Sequence, residues 1–317
     1  MNRYRIVVIG GGHGQSLICR GIKNLKNVDI SAIVTVADDG GSTGRLRRQF
    51  HIPAMGDIRN VLISLSESEN IMGALMDYRF EDPSGKEMDI QGHNLGNLIL
   101  TALTQQTGSF LEAIQVASDV LNVKGKIIPA TTEVITLYAR MEDDVIVKGE
   151  ANIPNANNHI RNVFYDREVE ADPDAIHAIK NADLIIFGIG SIYTSILPNV
   201  IIPDIKDALH ETKAYKMYIC NAMTQPGETD GYSVEDHVQA LINHGASVDA
   251  VMVATDTIPQ SNLENYLKEG SIPVILKEDE HPYRVIKNNL LDFKDGLIRH
   301  DAKKVEQAIE TFLKEEL

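Results

Sequence analysis

Residues 5–15 read RIVVIGGGHGQ, a short run of apolar, mostly β-branched side chains that breaks into four glycines within five positions. An apolar run without polar alternation is the pattern of a strand covered on both faces of a parallel sheet. Gly10, Gly11, Gly12, His13 and Gly14 then form a strand-to-helix turn. Such a turn lets backbone approach a phosphate closely, and the helix it opens offers free N–H donors and a partial positive charge. The pattern departs from the dinucleotide fingerprint, since Gln15 stands at the third glycine position and no Walker-type lysine follows.

Working outward, the spacing predicts a helix over 15–25 and a second strand over 30–36, which runs into ADDGGSTGRLRR at 37–48. Strand, glycine turn, helix and strand open an α/β, Rossmann-like, doubly wound and mostly parallel sheet. Residues 57–122 read as mainly helical, with segments over 58–66, 94–104 and 109–121. The stretch 124–163 instead alternates, is rich in Thr, Val and Ile, and turns at 142–144, which predicts a β-hairpin-bearing insertion. The βα rhythm returns with a helix over 173–180 and strands over 183–187, 215–220 and 250–253. Helices over 202–210 and 233–244 separate those strands, and an amphipathic helix over 302–315 ends the chain. With no internal repeat and no low-complexity linker, a single domain over 1–317 is the economical reading.

Composition narrows the partners. The 45 acidic and 30 basic residues give a formal charge of −15, which argues against a nucleic-acid or anionic-membrane surface. No run approaches the roughly 18 apolar residues of a membrane span. The apolar run Ile6 to Ile9 is too short for a signal peptide and lacks a small-residue cleavage site. Cys19 and Cys220 are far apart and have no metal-like spacing, which fits a reducing, cytoplasmic location. An anionic ligand must therefore find a local positive site, so the loops and arginines carry the information.

Several loops qualify. Asp38 and Asp39 end the second strand, where such folds contact a ribose or a metal. Gly41, Ser42 and Arg45 follow, with Arg47 and Arg48 beyond, supplying donors, hydroxyls and guanidinium groups that match phosphate. Asp57 either caps the helix that Gly56 opens or faces a ligand, with Asn60 one turn on. His93, Asn94 and Asn97 open another helix, and the two asparagines, three apart, share a helical face. Gly190, Ser191, Tyr193 and Thr194 repeat the logic of the first loop after a later strand. Asn221, Thr224 and Gln225 follow another, at the same carboxyl edge. Asp38, Asp39 and Asp57 are the catalytic candidates, and Asp38 and Asp39 the candidate Mg²⁺ ligands for phosphoryl transfer. They serve equally to orient a ribose without chemistry. The sequence shows no serine elbow, cysteine nucleophile context or zinc spacing.

Seven ordered blocks carry a resemblance: GGGHG at 10–14, VTVADDGGSTGRLRR at 34–48, GDIRN at 56–60, GHNLGNLIL at 92–100, GSIYTSILPN at 190–199, CNAMTQPGET at 220–229 and IRHD at 298–301. Together they resemble the YvcK/CofD-like family, in its bacterial gluconeogenesis-factor branch, over nearly the whole chain. The family usually has Thr where His13 stands and Pro where Ile189 stands. The resemblance implies a Rossmann-like fold and a nucleotide-type ligand, a UDP-sugar or NAD(P). It also implies a role in growth on gluconeogenic carbon sources, cell shape and peptidoglycan precursor balance, and it marks Arg299 as a candidate for the sugar-nucleotide phosphate. The related 2-phospho-L-lactate transferases use a nucleotide-activated phospholactate and Mg²⁺, but for this branch no enzymatic activity is implied. The preferred reading is a metabolite-binding regulatory protein, and the alternative is a Mg²⁺-dependent transferase. A homodimer is the ordinary expectation, and the sequence names no protein partner.

Overall fold

The computed structural model describes residues 3–67, 69–81, 89–156, 158–278 and 280–317. Seven strands form one sheet: β1 (Tyr4–Gly10), β2 (Val28–Val34), β3 (Lys126–Pro129), β7 (Leu184–Gly188), β8 (Tyr215–Ile219), β9 (Ala250–Ala254) and β10 (Arg284–Asn288). Their order is β10-β9-β8-β7-β1-β2-β3, and every neighbouring pair is parallel. Three further strands, β4 (Tyr138–Met141), β5 (Ile146–Lys148) and β6 (Ile160–Phe164), make a small antiparallel sheet in the order β5-β4-β6. Two short strands, β11 (Leu291–Asp292) and β12 (Arg299–His300), pair with each other.

The chain starts in the middle of the large sheet and winds outward through β2 and β3. It then returns to β7 on the other side of β1 and winds outward again. The reversal lies between β1 and β7, and in a doubly wound fold the crevice at that point, outside the strand carboxyl ends, is where ligands bind. The apolar runs predicted as central strands are central: Ile6–Ile9 and the whole of β7 are buried. Helices cover both faces of the sheet, as continuous hydrophobic strands require.

Four helices line up around the first winding: α1 (Gly12–Ile22), α2 (Gly41–Phe50), α3 (Gly56–Leu65) and α4 (Glu69–Asp77). Next come α5 (Leu95–Thr107), α6 (Phe110–Val120), α7 (Pro173–Lys180), α8 (Leu197–Val200) and α9 (Pro203–Glu211). The last are α10 (Val234–Asn243), α11 (Gln260–Lys268) and α12 (Ala302–Glu316). Asp301 caps α12 by accepting from the Lys303 and Lys304 N–H groups, and Val305, Ile309, Phe312 and Leu313 are buried along one face. Gln15 is the substitution that the glycine fingerprint did not explain. Its Nε2 donates to Val8 O at 2.9 Å and Ile33 O at 2.8 Å, so a fully buried amide ties β1 to β2 beneath the loop.

Three expectations need correction. The stretch 124–163 is not one insertion, because β3 within it is the edge strand of the main sheet, with Ser31 beside Lys126. KIIP is too short to stand apart from the alternating residues that follow. Residues 41–50, read as a ligand loop, form a helix, with Ser42, Thr43, Leu46 and Arg47 buried along it. The half-exposed edge strand β10 was not expected at all, since its alternation, RVIKN, is weak. Parts of the predicted helical stretch, 68 and 82–88, lie outside the described residues. No helix among the described residues is long and apolar enough to cross a membrane.

Candidate functional site

The loop that follows β1 is held from both sides. Gly10 O accepts from Thr35 N at 3.0 Å and from Asn199 Nδ2 at 3.1 Å. A Cβ added to Gly14 would lie 2.0 Å from Ile189 O and 2.9 Å from Gly190 N, so only glycine lets α1 pack directly on the β7 loop. A Cβ on Gly11 would lie 2.5 Å from Asp57 Oδ2. Asp57 does not cap its own helix, for α3 begins at Gly56 with Met55 as its cap. Its carboxyl faces the amino end of α1 instead. Burial and the nearby Asp38 push its pKa up to about 7, against the pull of Arg59 and of a hydrogen bond from the Gly12 N–H. The place that a phosphate takes at such a helix is therefore held by the protein's own carboxyl.

Asp57 belongs to an acidic compartment. Burial raises the Asp38 carboxyl against a hydrogen bond from Gly40 N at 2.9 Å. Asp39 turns away, its Oδ1 accepting from Ala151 N at 3.0 Å in the short helix Glu150–Asn155 of the β-rich insertion. That short helix brings in Glu150, pushed up to about 8 by burial and then by the charges of Asp38, Asp57, Glu228 and Asp39. Asp38 and Asp39 are thus engaged by different elements. Among the described residues no three His, Cys, Asp or Glu side chains converge to hold a metal, so a Mg²⁺ ion on Asp38 or Asp39 would take its remaining ligands from water and a bound phosphate. Asp57 and Glu150, pushed up to about 7 and about 8, can donate as well as accept hydrogen bonds near neutrality, which suits the hydroxyls of a sugar or ribose.

Beside this compartment the second and fourth predicted loops meet. Ser42 Oγ lies 2.9 Å from His93 Nδ1 and accepts from Asn97 Nδ2 at 3.2 Å. Asn97 Oδ1 in turn accepts from Arg59 Nη1 at 3.0 Å, and Arg59 Nη2 donates to Asn60 Oδ1 at 2.7 Å. Burial and the charges of Arg45 and Arg79 keep His93 neutral more readily than usual. Arg45 itself donates to Gln91 O at 2.7 Å, and exposed Gly41 begins α2. Asn94 is the N-cap residue of α5 and meets the same Ser42 Oγ as Asn97 through its backbone N–H, at 3.4 Å, while its Nδ2 donates to Asp77 O at 3.1 Å.

The loops after β7 and β8 also interlock. Gly190 N donates to Asn221 Oδ1 at 3.0 Å and Asn221 Nδ2 donates back to Gly190 O at 2.8 Å. The hydroxyls of Ser191 and Thr194, read as phosphate donors, both serve buried Glu228, as does Gln225 Nε2 at 2.7 Å. Burial pushes Glu228 up to about 7. Two predicted residues are structural. Tyr193 pairs with the Tyr232 hydroxyl at 2.8 Å, and Thr224 Oγ1 accepts from Ile272 N at 2.9 Å. Glu150 and Glu228 each follow a positive-φ glycine, Gly149 and Gly227, and escaped sequence reasoning because a charged side chain at such a turn ordinarily faces solvent. The one available signal was that Glu228 lies inside the CNAMTQPGET block.

A cleft of about 520 Å³ opens at the β1–β7 reversal, walled by α1, the two interlocked loops and β12. His13, Arg20 and Arg299 bring cationic or ionisable nitrogen to its rim, and Ser191, Asn221 and Gln225 line its inner side. His300, from the same strand as Arg299, also lines it. Burial lowers its pKa to about 4, and its Nε2 has no hydrogen-bond partner among the described residues. A larger hollow of about 840 Å³ lies at the opposite, amino edge of the sheet. Its charges pair within the protein, Arg5 with Asp183 at 2.9 Å and Lys180 with Glu211 at 2.7 Å.

The family described as "2-phospho-L-lactate transferase CofD" matches residues 6–291. The chain belongs to the CofD family. Within it the chain is similar to gluconeogenesis factors: that of Bacillus subtilis is 45% identical over 317 residues, covering 98% of each chain. That of Halalkalibacterium halodurans is 44% identical, over 98% of this chain and 96% of its own length. The putative gluconeogenesis factor of Thermotoga maritima is 43% identical, covering 96% and 98%. The crystal structure of an upf0052 family member from Bacillus halodurans superposes with a TM-score of 0.91 at 43% identity, over 98% of this chain and all of that one. The doubly wound CofD-family fold expected from the sequence is therefore the fold observed.

Proposed function

We propose that this CofD-family chain binds a sugar nucleotide or dinucleotide and acts as a regulatory protein of carbon and cell-wall metabolism in the cytoplasm. On this reading it supports cell shape and peptidoglycan precursor balance under gluconeogenic growth, in keeping with the name its relatives carry. One observation carries the reading: a cleft rimmed by Arg20 and Arg299 adjoins a compartment of raised carboxyls, and Ser191, lining the first while donating to Glu228, joins the two. Guanidinium groups suit a pyrophosphate, and protonatable carboxyls suit hydroxyls. A UDP-sugar or NAD(P) presents both chemistries.

The carboxyl compartment also favours a second reading, a transferase acting on a nucleotide-activated phospho-compound with Mg²⁺. Calorimetry with UDP-N-acetylglucosamine, NAD and GDP, each with and without Mg²⁺, separates the two. Metal-independent binding of the first or second supports the regulatory reading. Tight GDP binding only with Mg²⁺ supports the transferase, and no binding by any of them removes both.

A further inference from the structure

The parallel sheet ends at β3, and among the described residues no strand pairs with its outer edge. Two hollows meet this strand: one of about 520 Å³ between α6 and the edge, and one of about 280 Å³ on the α7 side that runs inward past Ile30 of β2 and Ile6 of β1. Both are lined by Gly125, Lys126, Ile128 and Asp174, so they meet at the strand itself. A strand's side chains alternate between faces, and a peptide laid along such an edge sends every second side chain towards the α6 face, where the larger hollow lies.

The larger hollow has a marked charge. Its wall includes Leu111, 43% exposed, while Glu112, Asp119, Asp172 and Asp174 supply four carboxylates against the single ammonium of Lys126. Asp172 is only 5% exposed. Its Oδ1 accepts from Asp174 N at 2.8 Å as the cap of α7, but its Oδ2 has no hydrogen-bond partner. Burial raises its pKa. A buried carboxylate oxygen without a donor is costly, and a guanidinium or ammonium group is the partner that offsets the cost best. Pro129 has no N–H and closes the strand, which keeps the strip short and any contact along it reversible.

The geometry points to the outer edge of β3 as a docking strip for an extended basic segment of a partner protein, separate from the nucleotide cleft. The partner's backbone pairs with β3, and an arginine or lysine enters the acidic hollow towards Asp172.

The test uses the full chain labelled with ¹⁵N and a capped hexapeptide of alternating valine and arginine. The expected result is saturable shifts of the amides of Gly125, Ile127 and Gln115. Asp172→Asn keeps a side-chain cap for α7 and is expected to weaken binding about tenfold. N-methylating alternate peptide amides removes the pairing donors and is expected to abolish binding. Shifts that survive both changes, or that spread over the acidic surface alike for all basic peptides, would mean general attraction to a chain of charge −15 and would overturn the proposal. The absence of any shift would overturn it as well.

Discussion

The carboxyl of Asp57 reaches the Gly12 N–H at the amino end of α1, so the helix end that the glycine loop prepares for an anion is met by a side chain of the protein itself. On the proposed reading a ligand phosphate sits further along the first turn of α1, by His13 and Gly14, which line the same cleft as Arg299.

The raised Asp57 carboxyl, at about 7 against an ordinary value of 3.8, sets a pH dependence. The folded chain binds this proton more tightly than the unfolded chain. Its contribution to stability is thus most favourable below the unfolded value and is lost as pH rises towards the folded one. Asp57→Asn removes the loss. Relative to the parent, its melting midpoint is expected to gain a few degrees at about pH 8, with the gain shrinking towards about pH 4. A variant less stable than the parent across that range would contradict the assignment.

Gly14→Ala is expected to destabilise the chain by about 3 kcal/mol. The atoms that the new methyl would meet, Ile189 O and Gly190 N, are backbone and cannot rotate away. Urea unfolding measures the loss, and an unchanged midpoint would mean that the two loops are not packed as described.

Glu228 holds Ser191, Thr194 and Gln225 together beneath the cleft. Glu228→Ala leaves several buried donors without an acceptor, at a cost of about 2–3 kcal/mol. Glu228→Gln keeps an acceptor and relieves repulsion with Glu150, so it is expected to cost clearly less. Denaturant titration of both variants near neutral pH checks the order, and equal losses would show that the acceptor is not what matters.

Much of this architecture was legible in the sequence because it rests on local rules. RIVVI followed by glycines fixes a central strand and a turn, and LIIFG does the same for β7. Of the loops that meet, Asp38–Ser42, Gly190 and Asn221 were readable because each follows a strand in a fold with a common carboxyl edge, and His93–Asn97 because its polar residues open a helix. What stayed hidden depends on contacts distant in sequence. Nothing local distinguishes Glu150, carried in by the insertion, from a surface glutamate. Asp57 could be read as a cap or as facing a ligand, and only the approach of α1, distant in sequence, shows the partner it has. Tyr193 and Thr224 sit in the right loops but point away, a direction that spacing alone does not settle.

The central claim is that a nucleotide's phosphates lie in the cleft between α1 and β12, against Arg299. Arg299 is exposed, so its removal leaves the fold intact. The most direct measurement is calorimetric titration of UDP-N-acetylglucosamine and of NAD into the parent and into Arg299→Ala. The parent is expected to bind at least one of them, and the variant to bind it at least about tenfold more weakly. Equal affinity for both proteins would contradict the account.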